Sequence, residues 1–117
     1  MRESTVDRAM AAAQTINALS RVFGEMQAQK LVYYAQAWSL VWDGRPLFSN
    51  RIEAWQMGPV VPSLRHALHV IQQAPPAGVF TASEEATLDA VTGYYGAMGG
   101  SALGELTHRE GPWREVW

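Results

Sequence analysis

The run MQAQKLVYYAQAWSLVW, residues 26–42, decides the fold. Leu31, Ala35, Trp38 and Trp42 recur at helical spacing and draw one tight apolar stripe, flanked by Tyr34 and Val41. Tyr33 and Leu40 fall on the other side. A helix that is apolar on two sides needs neighbours on both. This one is therefore expected at the centre of a bundle, with Trp38 and Trp42 in the core. Asp43-Gly44 should stop it, because glycine takes the left-handed cap position without steric cost.

Working outward from that helix, residues 4–20 read as a helix that Ser4 can cap, with Asp7 in its first turn. Val6, Ala9, Met10, Ala13 and Ile16 form its stripe, and Asn17 within the stripe is expected to be a buried hydrogen-bonding residue. Downstream, Pro46-Leu47-Phe48 and Ile52-Glu53-Ala54-Trp55 are the expected arms of a small hairpin, with Ser49-Asn50 as turn residues. Gly58-Pro59 breaks the chain, and Pro62 suits the first turn of a helix running to about Gln73. In that helix Val61, Leu64, Ala67, Leu68 and Ile71 share one face, while Arg65, His66, His69 and Gln72 share the solvent face. Ala74 to Gly78 is a proline-broken loop. Thr81-x-x-Glu84 has the form of a capping box for a helix carrying Leu88, Val91 and Tyr95 on one face. Gly96, Gly99 and Gly100 end that helix. Ser101 can cap a last one, with Leu103 and Leu106, closed by Gly111-Pro112. The expected fold is mainly α: a compact single-domain bundle of about five helices, with a short β-hairpin between the second and third.

Composition limits the function classes. The 117 residues suit one domain, with 48% hydrophobic and 17% charged residues, a balance that forms a packed globule. The absence of cysteine excludes disulfides, thiolate chemistry and Cys-ligated zinc, and fits a cytoplasmic protein. Polar residues interrupt every apolar stretch well before the ~18 residues of a membrane span, and Glu3 and Asp7 argue against a signal peptide. A net charge of −2 gives no overall counterion-release drive toward nucleic acid, and the basic residues are scattered, so DNA is not an expected partner.

Four clusters invite a chemical reading. His66 and His69, three apart on a helix, could share a metal, but structural sites usually need four ligands and no H-E-x-x-H pattern is present; two surface histidines explain the spacing. Thr107, His108 and Glu110 have an acid–base look, yet general-base catalysis also needs a pocket and a positioned partner. The glycines between Gly93 and Gly104 lack the Lys-Ser/Thr end of a phosphate loop and the strand before it, and punctuate helix ends instead. No catalytic residue, metal or cofactor is expected. The aromatics remain: Trp55 and Met57 alternate along a short strand, and Trp113 and Trp117 follow a Gly-Pro turn. An exposed tryptophan beside methionine is a suitable protein-binding anchor.

Three ordered blocks resemble a known family. Gln29-Lys30-Leu31-Val32-Tyr33-Tyr34-Ala35-Gln36-Ala37-Trp38 is similar to the signature helix of the Panacea domain family, which includes SocA-like proteolysis adaptors and the phage-associated GepA-type proteins. Gly44-Arg45-Pro46-Leu47-Phe48, followed by Ile52 to Pro62, resembles its second block, and Leu106 to Trp113 its "L-T-H-x-E-x-P-W" ending. The resemblance implies a mainly helical fold with a short hairpin, and an antitoxin that neutralises a cognate toxin by direct contact. Some relatives act as adaptors that deliver a toxin to a protease, and others are phage-encoded. On this basis the chain is expected to be one Panacea-like domain over residues 1–117, binding a protein partner through Trp55, Met57, Gly58, Pro59, His108, Glu110 and Trp113. Two departures stand out. Met57 occupies a position where the family usually has tyrosine, and the chain closes four residues after Trp113, where relatives often continue into another helical segment.

Overall fold

A computed structural model describes residues 6–56 and 58–110. Five helices and one hairpin follow in order: α1 (Arg8–Leu19), α2 (Glu25–Asp43), β1 (Glu53–Trp55), β2 (Gly58–Val60), a 3₁₀ turn (Pro62–Leu64), α3 (Leu68–Ile71), α4 (Ala82–Tyr95) and α5 (Gly100–Arg109). The two strands are antiparallel, with Glu53 opposite Val60, Ala54 opposite Pro59 and Trp55 opposite Gly58. α2 is the central element and packs on α1, α4, α5 and β2. Its Leu31, Val32, Tyr34 and Ala35 meet Ala9, Ala12 and Ile16 of α1, Leu88, Val91 and Tyr95 of α4 and Leu103 of α5 in one core. The final turn of α2 departs from expectation. Trp38 is half-buried, but Leu40, Val41 and Trp42 are exposed, Trp42 by 53%. The coverage α2 receives on its inner turns does not extend to its C-terminal end.

Local chemistry sets the helix ends. Gly44 takes a φ of 67° as the C-cap of α2. Thr81 and Glu84 form the reciprocal capping box of α4. α1 begins later than expected, because Asp7 is its cap: Asp7 Oδ1 accepts from Met10 N at 3.0 Å. Ser4 lies outside the described residues. Gly99 caps α5 in place of Ser101. A Cβ on Gly100 would stand 3.0 Å from Met26 Cβ and 3.1 Å from Gln27 N, so the first turn of α5 lies close against the backbone of α2, and a larger residue there would push the two helices apart by a few tenths of an ångström.

Two expectations about the middle of the chain are corrected. The hairpin arms are 53–55 and 58–60, and Leu47-Phe48 is not one of them. Gln36 of α2 takes over the bonds a strand would have made: its Oε1 accepts from Leu47 N and Phe48 N at 2.7 and 3.2 Å, and its Nε2 donates to Phe48 O at 2.9 Å. Asn50, expected in a turn, instead donates to Asp7 Oδ1 and accepts from Ala9 N, tying this segment to the start of α1. The expected helix from Pro62 to Gln73 is broken. After the 3₁₀ turn, Arg65 is extended (ψ 136°) and His66 is left-handed (φ 58°) before α3 forms. The amide of His66 donates to Glu25 Oε1 at 2.8 Å, so a bond from α2 replaces one the helix would have made.

Candidate partner-binding surface

The hairpin is held from beneath by polar side chains on the buried face of α2. Gln29, 2% exposed, clamps Val61 from both sides: its Oε1 accepts from Val61 N at 2.8 Å and its Nε2 donates to Val61 O at 3.2 Å. Lys30, 1% exposed, donates through Nζ to Pro59 O at 2.9 Å. Burial lowers the Lys30 pKa to about 8, against an opposing pull from the Glu25 carboxylate. Buried backbone groups need partners, and strands this short leave many unpaired; Gln29 and Lys30 supply them.

Gly58 is the point of closest approach. It holds a φ of 109°, and a Cβ there would sit 2.9 Å from Thr107 Oγ1 and 3.2 Å from Lys30 Cε. The hairpin, the middle of α2 and the end of α5 therefore meet at a residue that has no side chain. Thr107 is fully buried and its hydroxyl donates back to Gly104 O at 2.7 Å. One residue on, His108 Nε2 lies 2.9 Å from Gln56 O. A carbonyl oxygen only accepts, so Nε2 carries the proton in this pair. This bond joins the end of α5 to the tip of the hairpin.

On the outer side of the hairpin, Trp55 is half-buried. Its indole N–H donates to Glu53 Oε1 at 2.8 Å, and the Arg65 guanidinium stacks 4.5 Å from the ring centroid. The extended backbone at Arg65 accompanies that stacking. The Trp55 indole and Arg51, bonded at 2.6 Å, hold the Glu53 carboxyl below its ordinary pKa. Beyond His108, the exposed Glu110 accepts from Tyr34 Oη at 2.6 Å. Tyr34 stacks on Tyr95 with ring centroids 4.1 Å apart, and Trp38 Nε1 donates to Tyr95 Oη at 3.0 Å. Burial, together with the Glu110 carboxylate, raises the Tyr34 hydroxyl well above its ordinary pKa.

Trp55, Gly58, Pro59 and His108 are thus gathered around the hairpin, with Glu110 two residues past His108 at the end of α5. Gly58 and Pro59 are buried and shape the hairpin from within, whereas Trp55, His108 and Glu110 reach its surface. Met57 and Trp113 lie outside the described residues. His66 and His69 are exposed, and no group of three or more His, Asp or Glu side chains converges to hold a metal among the described residues. No helix among them is long and apolar enough to cross a membrane. Sequence reasoning missed Gln29, Lys30, Gln36 and Arg65. Polar residues recurring in a helix that is otherwise apolar on two sides were the available signal for the first three. Nothing local announced Arg65.

A family model described as "Antitoxin SocA-like, Panacea domain" matches residues 28–114. That span holds most of α2, the whole hairpin and α5. No curated protein and no solved structure matches the chain.

Proposed function

Because the chain belongs to the family of antitoxin SocA-like Panacea domains, we propose that it neutralises a cognate protein toxin by direct binding, acting in the cytoplasm as a single domain and not as an enzyme. The contact surface is the outer side of the hairpin and the end of α5. Trp55, His108 and Glu110 make the contacts, together with Met57 and Trp113, and Gly58 and Pro59 fix the shape.

The observation that carries this reading is the anchoring of the hairpin. An isolated pair of three-residue strands is not stable in water. Here Gln29, Lys30 and His108 fix it to two helices through its own backbone oxygens and amides. A surface held in place before the encounter loses little conformational entropy on binding, which raises affinity without enlarging the interface.

The test is co-expression with the open reading frame beside this gene. That product should arrest growth alone, this chain should restore growth, and the two should co-purify. A neighbour that is harmless, or that stays toxic in the presence of this chain, refutes the proposal. Recovery of a protease or a host protein with no toxin would identify an adaptor or a phage-encoded regulator instead.

A further inference from the structure

A continuous row of side chains runs from the first strand of the hairpin to the turn that follows the second. Arg51 bonds to Glu53, and Glu53 accepts from the Trp55 indole. The Arg65 guanidinium lies 4.5 Å over the Trp55 ring, and its Nη2 is 3.3 Å from His66 Nε2. We infer that Arg65 sets the specificity of this row: its guanidinium takes a carboxylate side chain of the protein partner. The inference rests on the proposed reading of the chain as a protein-binding antitoxin, and it names the chemistry that the partner presents at the hairpin.

Arg65 is an exposed cation without a counter-ion. Among the described residues the ion pairs are Arg8 with Glu84 and Arg51 with Glu53, and neither involves Arg65. The two carboxylates tied to the row are already engaged. Glu53 accepts from Arg51 and Trp55, and Glu25 accepts from the His66 amide and from Gln29 Nε2. No acid stands between Glu53 and Glu84 in the sequence, so the second strand, the 3₁₀ turn and α3 bring Arg65, His66 and His69 with no carboxylate of their own. A guanidinium carries five N–H donors and no acceptor. The ring takes its face, and His66 Nε2 takes one donor. The other donors stay available for the two-pronged bond that a carboxylate accepts.

The backbone holds Arg65 in this position at a cost. The chain leaves the helical path at Arg65 (ψ 136°) and turns left-handed at His66 (φ 58°), which Glu25 holds through the His66 amide. A non-glycine residue in that region persists only where its surroundings fix it, and such residues gather at ligand clamps. Arg21, Arg45 and Arg109 are exposed too, but among the described residues no ring lies beneath them. A guanidinium fixed before the encounter loses little entropy on binding, and arginine beside tryptophan is a frequent anchor of protein interfaces. Charge selects a side-chain carboxylate over a nucleic acid. A phosphate backbone needs several cations in succession, whereas here the Glu53 carboxylate stands between Arg51 and Arg65 and repels a polyanion. One carboxylate placed on Arg65 meets a single complementary charge.

The first probe is the product of the neighbouring open reading frame, provided that the wild-type chain rescues growth from it. Arg65→Glu should keep the helical circular dichroism, weaken the complex at least about tenfold in calorimetry and lose rescue in cells. Should that variant misfold, Arg65→Gln should weaken the complex in the same direction. Random mutagenesis of the toxin against Arg65→Glu should restore rescue by exchanging an aspartate or glutamate for lysine or arginine, which a merely structural role of Arg65 would not produce. Rescue by Arg65→Glu as good as wild type, or a screen that returns no such acid, overturns the inference and leaves the antitoxin reading standing. If the wild-type chain itself fails to rescue, that reading falls, and the arginine Nε–Hε resonances of the full chain judge Arg65 alone. A polyglutamate peptide should shift the Arg65 resonance at a lower concentration than those of Arg21, Arg45 and Arg109, and a polylysine peptide should leave it in place. Equal shifts at all of these arginines, or tighter binding of an oligothymidylate than of polyglutamate, overturns the inference. So does a shift of the Arg65 resonance in Glu115→Gln, which would assign the carboxylate to this chain itself.

Discussion

Lys30 Nζ donates to the carbonyl oxygen of Pro59 at 2.9 Å inside a site that leaves the side chain 1% exposed. The contact joins the centre of α2 to the second strand of the hairpin, and it places an ammonium where water does not reach. Burial brings its pKa down to about 8. Folding stability consequently depends on pH on the alkaline side.

Between pH 8 and 10.5 the unfolded chain keeps the Lys30 proton more fully than the folded chain does, so stability rises with pH across that window. The phenols of Tyr33, Tyr34 and Tyr95 act in the opposite sense. Burial raises all three, so above about pH 10, the ordinary tyrosine value, the unfolded chain sheds those protons first and stability falls. Urea midpoints should climb from about pH 7 to a maximum near pH 9–10 and then drop. Lys30→Met should abolish the climb and keep the drop. A climb that persists in the variant would assign the alkaline gain to another group.

Gly58 and Thr107 are coupled through a missing side chain. Gly58→Ala places a Cβ 2.9 Å from Thr107 Oγ1 and forces a left-handed φ on a residue that resists it. The expected cost is about 2–3 kcal/mol. Thr107→Ala alone removes the bond to Gly104 O, for about 1 kcal/mol. The double variant should lose less than the sum, by roughly 1 kcal/mol, because the clash disappears while the backbone strain stays. Additive losses in denaturant melts would show that the contact is not felt.

Arg8 ties the start of α1 to three separate segments. Its guanidinium donates to Leu47 O at 2.8 Å, Val79 O at 2.9 Å and Glu84 Oε2 at 2.9 Å, and stacks over Phe80 at 4.8 Å. A planar fork serves three acceptors in fixed directions, which an ammonium does not reproduce. Arg8→Lys should lose about 1–2 kcal/mol in thermal or urea unfolding despite the conserved charge. Burial pushes the Glu84 carboxyl up, but the Thr81 backbone donor and Arg8 outweigh it and the net direction is down. This stabilisation is therefore complete at neutral pH and is lost as the pH falls below about 4.3. In Arg8→Ala the acid limb of the stability curve should flatten.

Replacement of Trp55 is expected to separate folding from the proposed recognition. It is half-buried, bonded to Glu53 and covered by Arg65 rather than set in the core. Trp55→Ala should cost only about 1–2 kcal/mol of stability, whereas a core tryptophan would cost about 3–5. The variant should still fold by circular dichroism, and its affinity for the proposed toxin partner should fall at least about tenfold. Loss of the folded state would move Trp55 into the core and out of the contact surface.

What the chain states locally is legible wherever a residue acts on its own neighbours. Thr81 and Glu84 announce their capping box, Gly44 announces its cap, and Leu88, Val91 and Tyr95 announce one face, because each interaction closes within about one or two helical turns. The family is legible for a related reason: the ordered blocks from Gln29 to Trp38, Gly44 to Pro62 and Leu106 to Trp113 are contiguous in sequence, and the matched span of residues 28–114 takes in all of them.

The hairpin register, the break at His66 and the exposed end of α2 are of another kind. Leu47 and Phe48 read as a strand until Gln36 captures their amides, and the helix after Pro62 reads as continuous until Glu25 takes the amide of His66. Each outcome turns on a side chain at least eleven residues away that competes for a backbone bond, and local propensity carries no term for such a competitor. The sequence by itself determined a helical bundle with a short hairpin and its family. Tertiary packing alone decided which backbone groups Gln29, Lys30 and Gln36 would hold, and that Trp42, on the same stripe as Leu31 and Ala35, would face outward, because burial depends on neighbours that lie far away in sequence.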